Sequence, residues 1–158
     1  DWAKEYPHGL IEEMCEKYDI RPEVVYALIK VESGGDSFAT RFEPGYTAFY
    51  SAREFAKENL ITRKTEEIHQ ATSWGLMQVM GGTARRLGLE APIPVLIDPA
   101  NNIEYGCKLL ADIKTRYRSL WDVVASYNAG RVRRNAAGNY HNQRYVDKVA
   151  KYYSEMTK

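Results

Sequence analysis

The sequence predicts a mainly α-helical fold, and three observations carry that reading. Apolar residues recur at three- and four-residue spacing in stretch after stretch, from Leu10-Ile11-Met14-Cys15 near one end to Tyr145-Val149-Tyr152 near the other. Residues that start and stop helices bracket those stretches, with Pro22 and Pro99 at first helical positions and Gly34-Gly35 and Gly130 after last turns. No run of alternating polar and apolar residues suggests a half-buried strand. With 158 residues and 44% hydrophobic content, one domain over residues 1–158 can bury its own core.

Pro7 to Tyr18 reads as an amphipathic helix, with Leu10, Ile11, Met14, Cys15 and Tyr18 on one face and Glu12, Glu13, Glu16 and Lys17 on the other. A turn at Asp19-Ile20-Arg21 leads to Pro22 and a second helix that ends at Glu32. Residues 38–73 read as an inserted segment. Its Arg41-Phe-Glu-Pro-Gly-Tyr46 is a loop by its Pro and Gly, and two short polar helices follow, capped at Ser51 and Thr65. Trp74 to Met80, bracketed by glycines, is expected to run extended or in a tight turn through the core. Thr83 caps a helix through Leu87, and Ala91-Pro-Ile-Pro94 is a connector. Asp98-Pro-Ala starts a long helix with Ile103, Cys107, Leu110 and Tyr117 as its buried stripe. Leu120 to Ala129 and Asn142 to Thr157 complete the chain, the last with Tyr145, Val149, Tyr152 and Tyr153 inward.

Composition excludes several function classes. A net charge of +1 without aromatic-interleaved basic runs gives no footprint for nucleic acid. His8, His69 and His141 are scattered, and Cys15 and Cys107 lack ligand spacing, so no metal and no other cofactor is expected. The two cysteines are expected as core thiols, with a disulfide as the second reading. No segment is apolar for long enough to span a membrane. The chain begins at Asp1 without an export signal, and is read as a processed product or an excised domain.

Glu32 is the residue whose placement asks for chemistry. An apolar helix delivers it to the rim of a core, where the Gly34-Gly35 stop follows. A partly buried carboxyl has a raised pKa, and a protonated Glu at working pH is a general acid. The same Glu in any other sequence reads first as a solvated helix end. What changes that reading is a set of motifs in fixed order: Glu32-Ser33, Gly75-Leu-Met-Gln78, Ser126-Tyr-Asn-Ala-Gly130 and Tyr145-Val-Asp-Lys-Val149.

In those four motifs the chain resembles the soluble lytic transglycosylases, which share a lysozyme-like α-helical domain and a glycan-binding groove with goose-type lysozymes. The resemblance runs from about Ile20 to Val149. It implies Glu32 as the single catalytic acid and base, with Ser33 beside it. It implies that Met77 and Gln78, in the Gly75–Gln78 segment, line the groove, and that Tyr127, Asn128 and Tyr145 contact substrate or the catalytic carboxyl. The interval between Glu32 and Gly75 is longer than the family's usual one. His69 stands where many members have a serine, which leaves Ser73 as the nearest hydroxyl for the sugar's acetamido group. Trp74 reads equally as a sugar-stacking ring or as core.

The implied reaction cleaves the β-1,4 bond between N-acetylmuramic acid and N-acetylglucosamine in peptidoglycan. The sugar's own acetamido oxygen takes the place of a second carboxylate, and the muramic 6-hydroxyl closes on C1 to leave a 1,6-anhydro end. The rival is hydrolysis by a goose-type muramidase, which needs a carboxylate holding water about 6.5–9.5 Å from the acid. Among Asp36, Glu43 and Asp98, the first reads as a turn residue and the last as a helix cap. Glu43 stays as a substrate-groove candidate. From another class, a non-catalytic peptidoglycan-binding domain would keep the groove without turnover. Peptidoglycan glycan strands are the implied partner, a monomer is expected, and the implied location is periplasmic, in the cell envelope, secreted or phage-associated.

Overall fold

The computed structural model describes all 158 residues and is mainly helical, with one small sheet. The chain divides into two compact units, one made of Asp1–Val31 with Cys107–Lys158 and the other of Glu32–Gly106.

In the first unit, α1 (His8–Tyr18) buries Ile11 and Cys15 and stops at Asp19, whose φ of 56° is left-handed. Its last turn is closed by the Ile20 amide, which donates to the Cys15 carbonyl at 2.9 Å. Helix α2 (Pro22–Glu32) is buried at every residue from Val24 to Ile29, so it is a central helix rather than an amphipathic one. Tyr26 keeps its hydroxyl partnered there, 2.5 Å from His8 Nδ1. The remainder of this unit is the later part of α6 (Pro99–Lys114), then α7 (Leu120–Ala129) and α8 (Gln143–Met156). Cys15 and Cys107 are both buried thiols. A hydrogen bond between them lowers the Cys15 pKa, against burial and the nearby Glu23 and Glu12, which raise it.

Two details of the helix faces differ from expectation. Tyr117 lies beyond the end of α6 and is half-buried, while Ile113 takes the core position. On α8 the core positions belong to Val146 and Val149, and the tyrosines flank them. A Tyr hydroxyl is costly to bury without a partner, so the smaller Val fits the interior more cheaply.

The second unit holds an antiparallel sheet that the sequence pattern hid. Strands β1 (Thr40–Phe42), β2 (Thr72–Trp74) and β3 (Val79–Met80) lie in that order, with Arg41 opposite Ser73 and Ser73 opposite Met80. Two or three residues per strand are too few to display an alternation. The first two residues of the expected 41–46 loop, Arg41 and Phe42, are therefore strand, and the expected extended stretch through the core is the β2–β3 hairpin. Around the sheet stand α3 (Ala52–Glu58), α4 (Arg63–Gln70), α5 (Gly81–Arg86) and a 3-10 turn at Ile93–Ile97.

The caps also move. Thr62, not Thr65, caps α4, its hydroxyl accepting from the Thr65 amide at 3.1 Å. Ser51 and Met80 precede α3 and α5 without a side-chain cap bond, so Thr83 sits inside α5 rather than before it. Asp98 does cap α6, accepting from the Ala100 amide at 2.8 Å, and Asp36 is a turn residue that accepts from the Phe38 amide at 2.9 Å. No helix is long and apolar enough to cross a membrane.

Candidate active site

Glu32 is the last residue of α2 and the first of the second unit, and it is half-buried. The chain turns sharply after it because Gly34 and Gly35 adopt φ of 65° and 94°, which a side chain disfavours. Ser33 helps to hold that turn, its Oγ accepting from the Gly35 amide at 3.1 Å. Asp36 continues it through the Ala39 amide, which donates to the Asp36 carbonyl at 3.2 Å. The segment that begins at Glu32 is thereby led into β1 by hydrogen-bonded turns.

The Gly75–Gln78 turn is fixed from two sides. Gln78 stands at φ 50°, left-handed and uncommon for a residue with a side chain. Its Nε2 donates to the Ala39 and Gly75 carbonyls, each at 2.9 Å, and so ties the turn to the strand entry after Glu32. From the other side comes Asn102, fully buried on α6. Its Oδ1 accepts from the Met77 amide at 2.7 Å, and its Nδ2 donates to the Trp74 and Leu96 carbonyls at 2.7 and 2.9 Å. Gly75 has φ 71°, and a Cβ there would lie 2.5 Å from Asn102 Nδ2 and 2.8 Å from the Leu96 carbonyl. Only glycine allows the amide of Asn102 this close to the turn.

The other residues singled out in this unit have distinct settings. Met77 is fully buried, and Gly106 makes room for it, since a Cβ at that glycine would sit 2.7 Å from Met77 Cε. Ser73 lies mid-strand in β2, half-buried, with its Oγ 3.1 Å from Met80 Sδ. Trp74 is buried, its indole donating to the His69 carbonyl at 3.0 Å, and so belongs to the core rather than to an open stacking face. Glu43 is half-buried in the inserted segment. Arg41 Nε donates to its Oε1 at 3.0 Å, and it lines a small cleft with Phe42, Tyr46 and Phe49.

In the first unit, Tyr127 and Tyr145 are half-buried on α7 and α8, and Asn128 is exposed at the end of α7. The two helices are tied near these residues by Asn142, whose Nδ2 donates to Asn128 Oδ1 at 2.8 Å and to the Ala125 carbonyl at 3.0 Å. Gly130, at φ 85°, closes α7 through its amide to the Ser126 carbonyl at 2.7 Å. In the loop that follows, Arg134 pairs with Asp122 at 2.9 Å, and the Tyr140 hydroxyl donates to the same carboxylate. Burial foremost, and then that bond to Asp122, raise the Tyr140 pKa.

Asn102 and Asn142 are the positioning residues that reading the sequence missed. Asn102 had one visible signal, an amide immediately before Ile103 in the first turns of a long helix with an apolar stripe. Such a residue is buried only if it finds partners. Nothing groups three His, Cys, Asp or Glu side chains closely enough to hold a metal ion.

Residues 9–149 match the family described as the transglycosylase SLT domain. The match spans most of the chain and includes every residue from Glu32 to Tyr145 considered above. The mainly helical architecture with its small sheet agrees with the lysozyme-like fold that the motifs implied.

Proposed function

The chain belongs to the transglycosylase SLT family, and on that premise we propose that it cleaves peptidoglycan without water, using Glu32 as its only acid and base. Membership itself makes peptidoglycan the substrate and lytic transglycosylation the general activity. The finer reading is that Glu32 protonates the β-1,4 oxygen leaving toward N-acetylglucosamine. The muramic acetamido oxygen stabilises the oxocarbenium-like centre at C1. Glu32, now a carboxylate, takes the proton of the muramic 6-hydroxyl as that oxygen closes on C1. The proton given in the first step is recovered in the second, so the enzyme returns to its starting state and the product is a 1,6-anhydro end.

The observation that carries this reading is the placement of Glu32 at the half-buried last turn of α2, joined by hydrogen-bonded turns to a Gly75–Gln78 hairpin that is itself pinned. A residue that must both give and take a proton works best with a pKa near working pH, and reduced contact with water favours that. Gln78 and Ser73 are assigned to the glycan, Met77 to the packing beneath them, and Tyr127, Asn128 and Tyr145 to substrate contact. Glu43, one oxygen of which is held by Arg41, is assigned to substrate binding rather than to activation of water. Action in the periplasm, the envelope or outside the cell fits a peptidoglycan substrate.

Glu32→Gln tests the assignment, because it removes the proton donor at nearly constant shape. The variant is expected to retain the wild-type melting temperature and to lose cell-wall lysis by at least about 100-fold, the usual worth of general acid–base catalysis. Lysis close to wild type in a folded Glu32→Gln protein would remove Glu32 from the mechanism.

A further inference from the structure

A pocket of about 340 Å³ opens within the first unit, formed by the turn between α1 and α2, the start of α2, the end of α6 and the start of α7. Its walls are Ile20, Val24, Leu110, Leu120 and Val123. Its volume is at the lower end of small-molecule sites. None of the wall side chains carries a hydrogen-bonding group, so an occupant with amides or hydroxyls at this depth would leave them unpaired. An alkyl chain has no such cost.

The mouth has the opposite character. Arg21, Lys114 and Arg118 line it, and all three are exposed. Arg21 donates to the Tyr153 hydroxyl at 2.9 Å, an uncharged partner. Lys114 donates to the Asp19 carbonyl at 2.5 Å, and the Asp19 carboxylate is 3.9 Å away and fully exposed. Arg118 is paired with no carboxylate. The neighbouring Arg116 and Asp112 neutralise each other at 3.0 Å. The rim therefore holds three cations against two carboxylates, Asp19 loosely associated with Lys114 and Glu23 acting on Arg21, so that Arg118 has no opposing charge.

We propose that this pocket binds a single-chain alkyl carboxylate, its chain against the five apolar walls and its head group between Lys114 and Arg118. A peptide segment fits less well, because its backbone would meet an apolar lining with nothing to accept or donate to it. The site is independent of the glycan reaction, since none of its residues has a role there.

Calorimetric titration of the full chain with hexanoate, octanoate and decanoate, each below its micelle concentration, tests the proposal. Saturable 1:1 binding is expected, tightening about fourfold per methylene, the fold-change that about 0.8 kcal/mol per buried methylene corresponds to. Arg118→Gln should weaken decanoate about two- to fivefold while leaving decanol of equal chain length unaffected. Amide shifts on titration should fall on Ile20, Val24, Leu110 and Val123. The proposal is overturned by any of three results: no saturation with decanoate, equal loss of decanoate and decanol binding in Arg118→Gln, or binding of anionic vesicles without binding of the free carboxylate.

Discussion

A buried amide that satisfies three backbone groups at once has no equivalent among smaller side chains, and Asn102 is such an amide. Asn102→Ala would leave the Met77 amide and the Trp74 and Leu96 carbonyls without their partner. A buried polar group left unmade costs about 1–3 kcal/mol, and water entering the space recovers part of it. Unfolding in urea should therefore show a loss of about 3 kcal/mol, together with weaker lysis as the Gly75–Gln78 turn loosens. Wild-type stability would mean that Gln78 alone holds the turn. His69 makes a pH prediction. Burial lowers its pKa most, Arg85 adds to that, and Glu66 opposes it. Its Nδ1 is buried without a hydrogen-bond partner. The folded state thus resists a proton that the unfolded chain accepts near pH 6.5. Stability from this source is complete above that pH and declines as pH falls toward the lowered folded-state value. Denaturation midpoints at pH 7.5 and 5.5 should differ less in His69→Gln than in wild type.

Helices α4 and α5 depend on one another through a buried ion pair. Glu66 and Arg85 are both fully buried and bind by two bonds, Nε to Oε2 at 2.9 Å and Nη2 to Oε1 at 2.8 Å. Gln70 adds a bond to Glu66 at 2.8 Å, and Arg85 also reaches the Leu89 and Ala91 carbonyls at 2.9 and 2.6 Å and lies over the Phe55 ring. Removing one partner of a buried pair strands the other charge, whereas replacing both with apolar residues of similar size is much milder. Arg85→Met is expected to cost about 3–5 kcal/mol, and Glu66→Leu combined with Arg85→Met clearly less. A double-mutant cycle by urea denaturation measures this. Equal losses in the single and double variants would contradict the account. None of this pairing was legible beforehand, because Glu66 and Arg85 are 19 positions apart and each reads as an ordinary surface charge on a short polar helix. The long helices were legible for the converse reason. α2, α6 and α7 bury local apolar repeats, so their ends at Glu32, Asp98 and Gly130 follow from caps and stops within the same few residues. The sheet was not, since its pairing joins residues 41, 73 and 80 through turns rather than through any repeat.

At the scale of the whole molecule, the two units carry net charges of opposite sign. The first unit has 15 Lys and Arg against 11 Asp and Glu, and the second has 7 against 10, giving +4 and −3. The four ordered motifs also span both units, with Glu32 and Gly75–Gln78 in one and Tyr127, Asn128 and Tyr145 in the other. Each motif alone is a short and common string, and it is the ordered set of four that is specific. The central claim is that one carboxyl, assisted by the sugar's own acetamido group, serves for both proton transfers. Mass spectrometry of muropeptides released by the wild-type protein in ¹⁸O-labelled water tests it most directly. The account predicts muramic ends about 18 Da lighter than hydrolysed ones and free of label, because no water enters the product. Reducing ends carrying the heavy oxygen would contradict it and would make Glu43→Gln the next variant to assay.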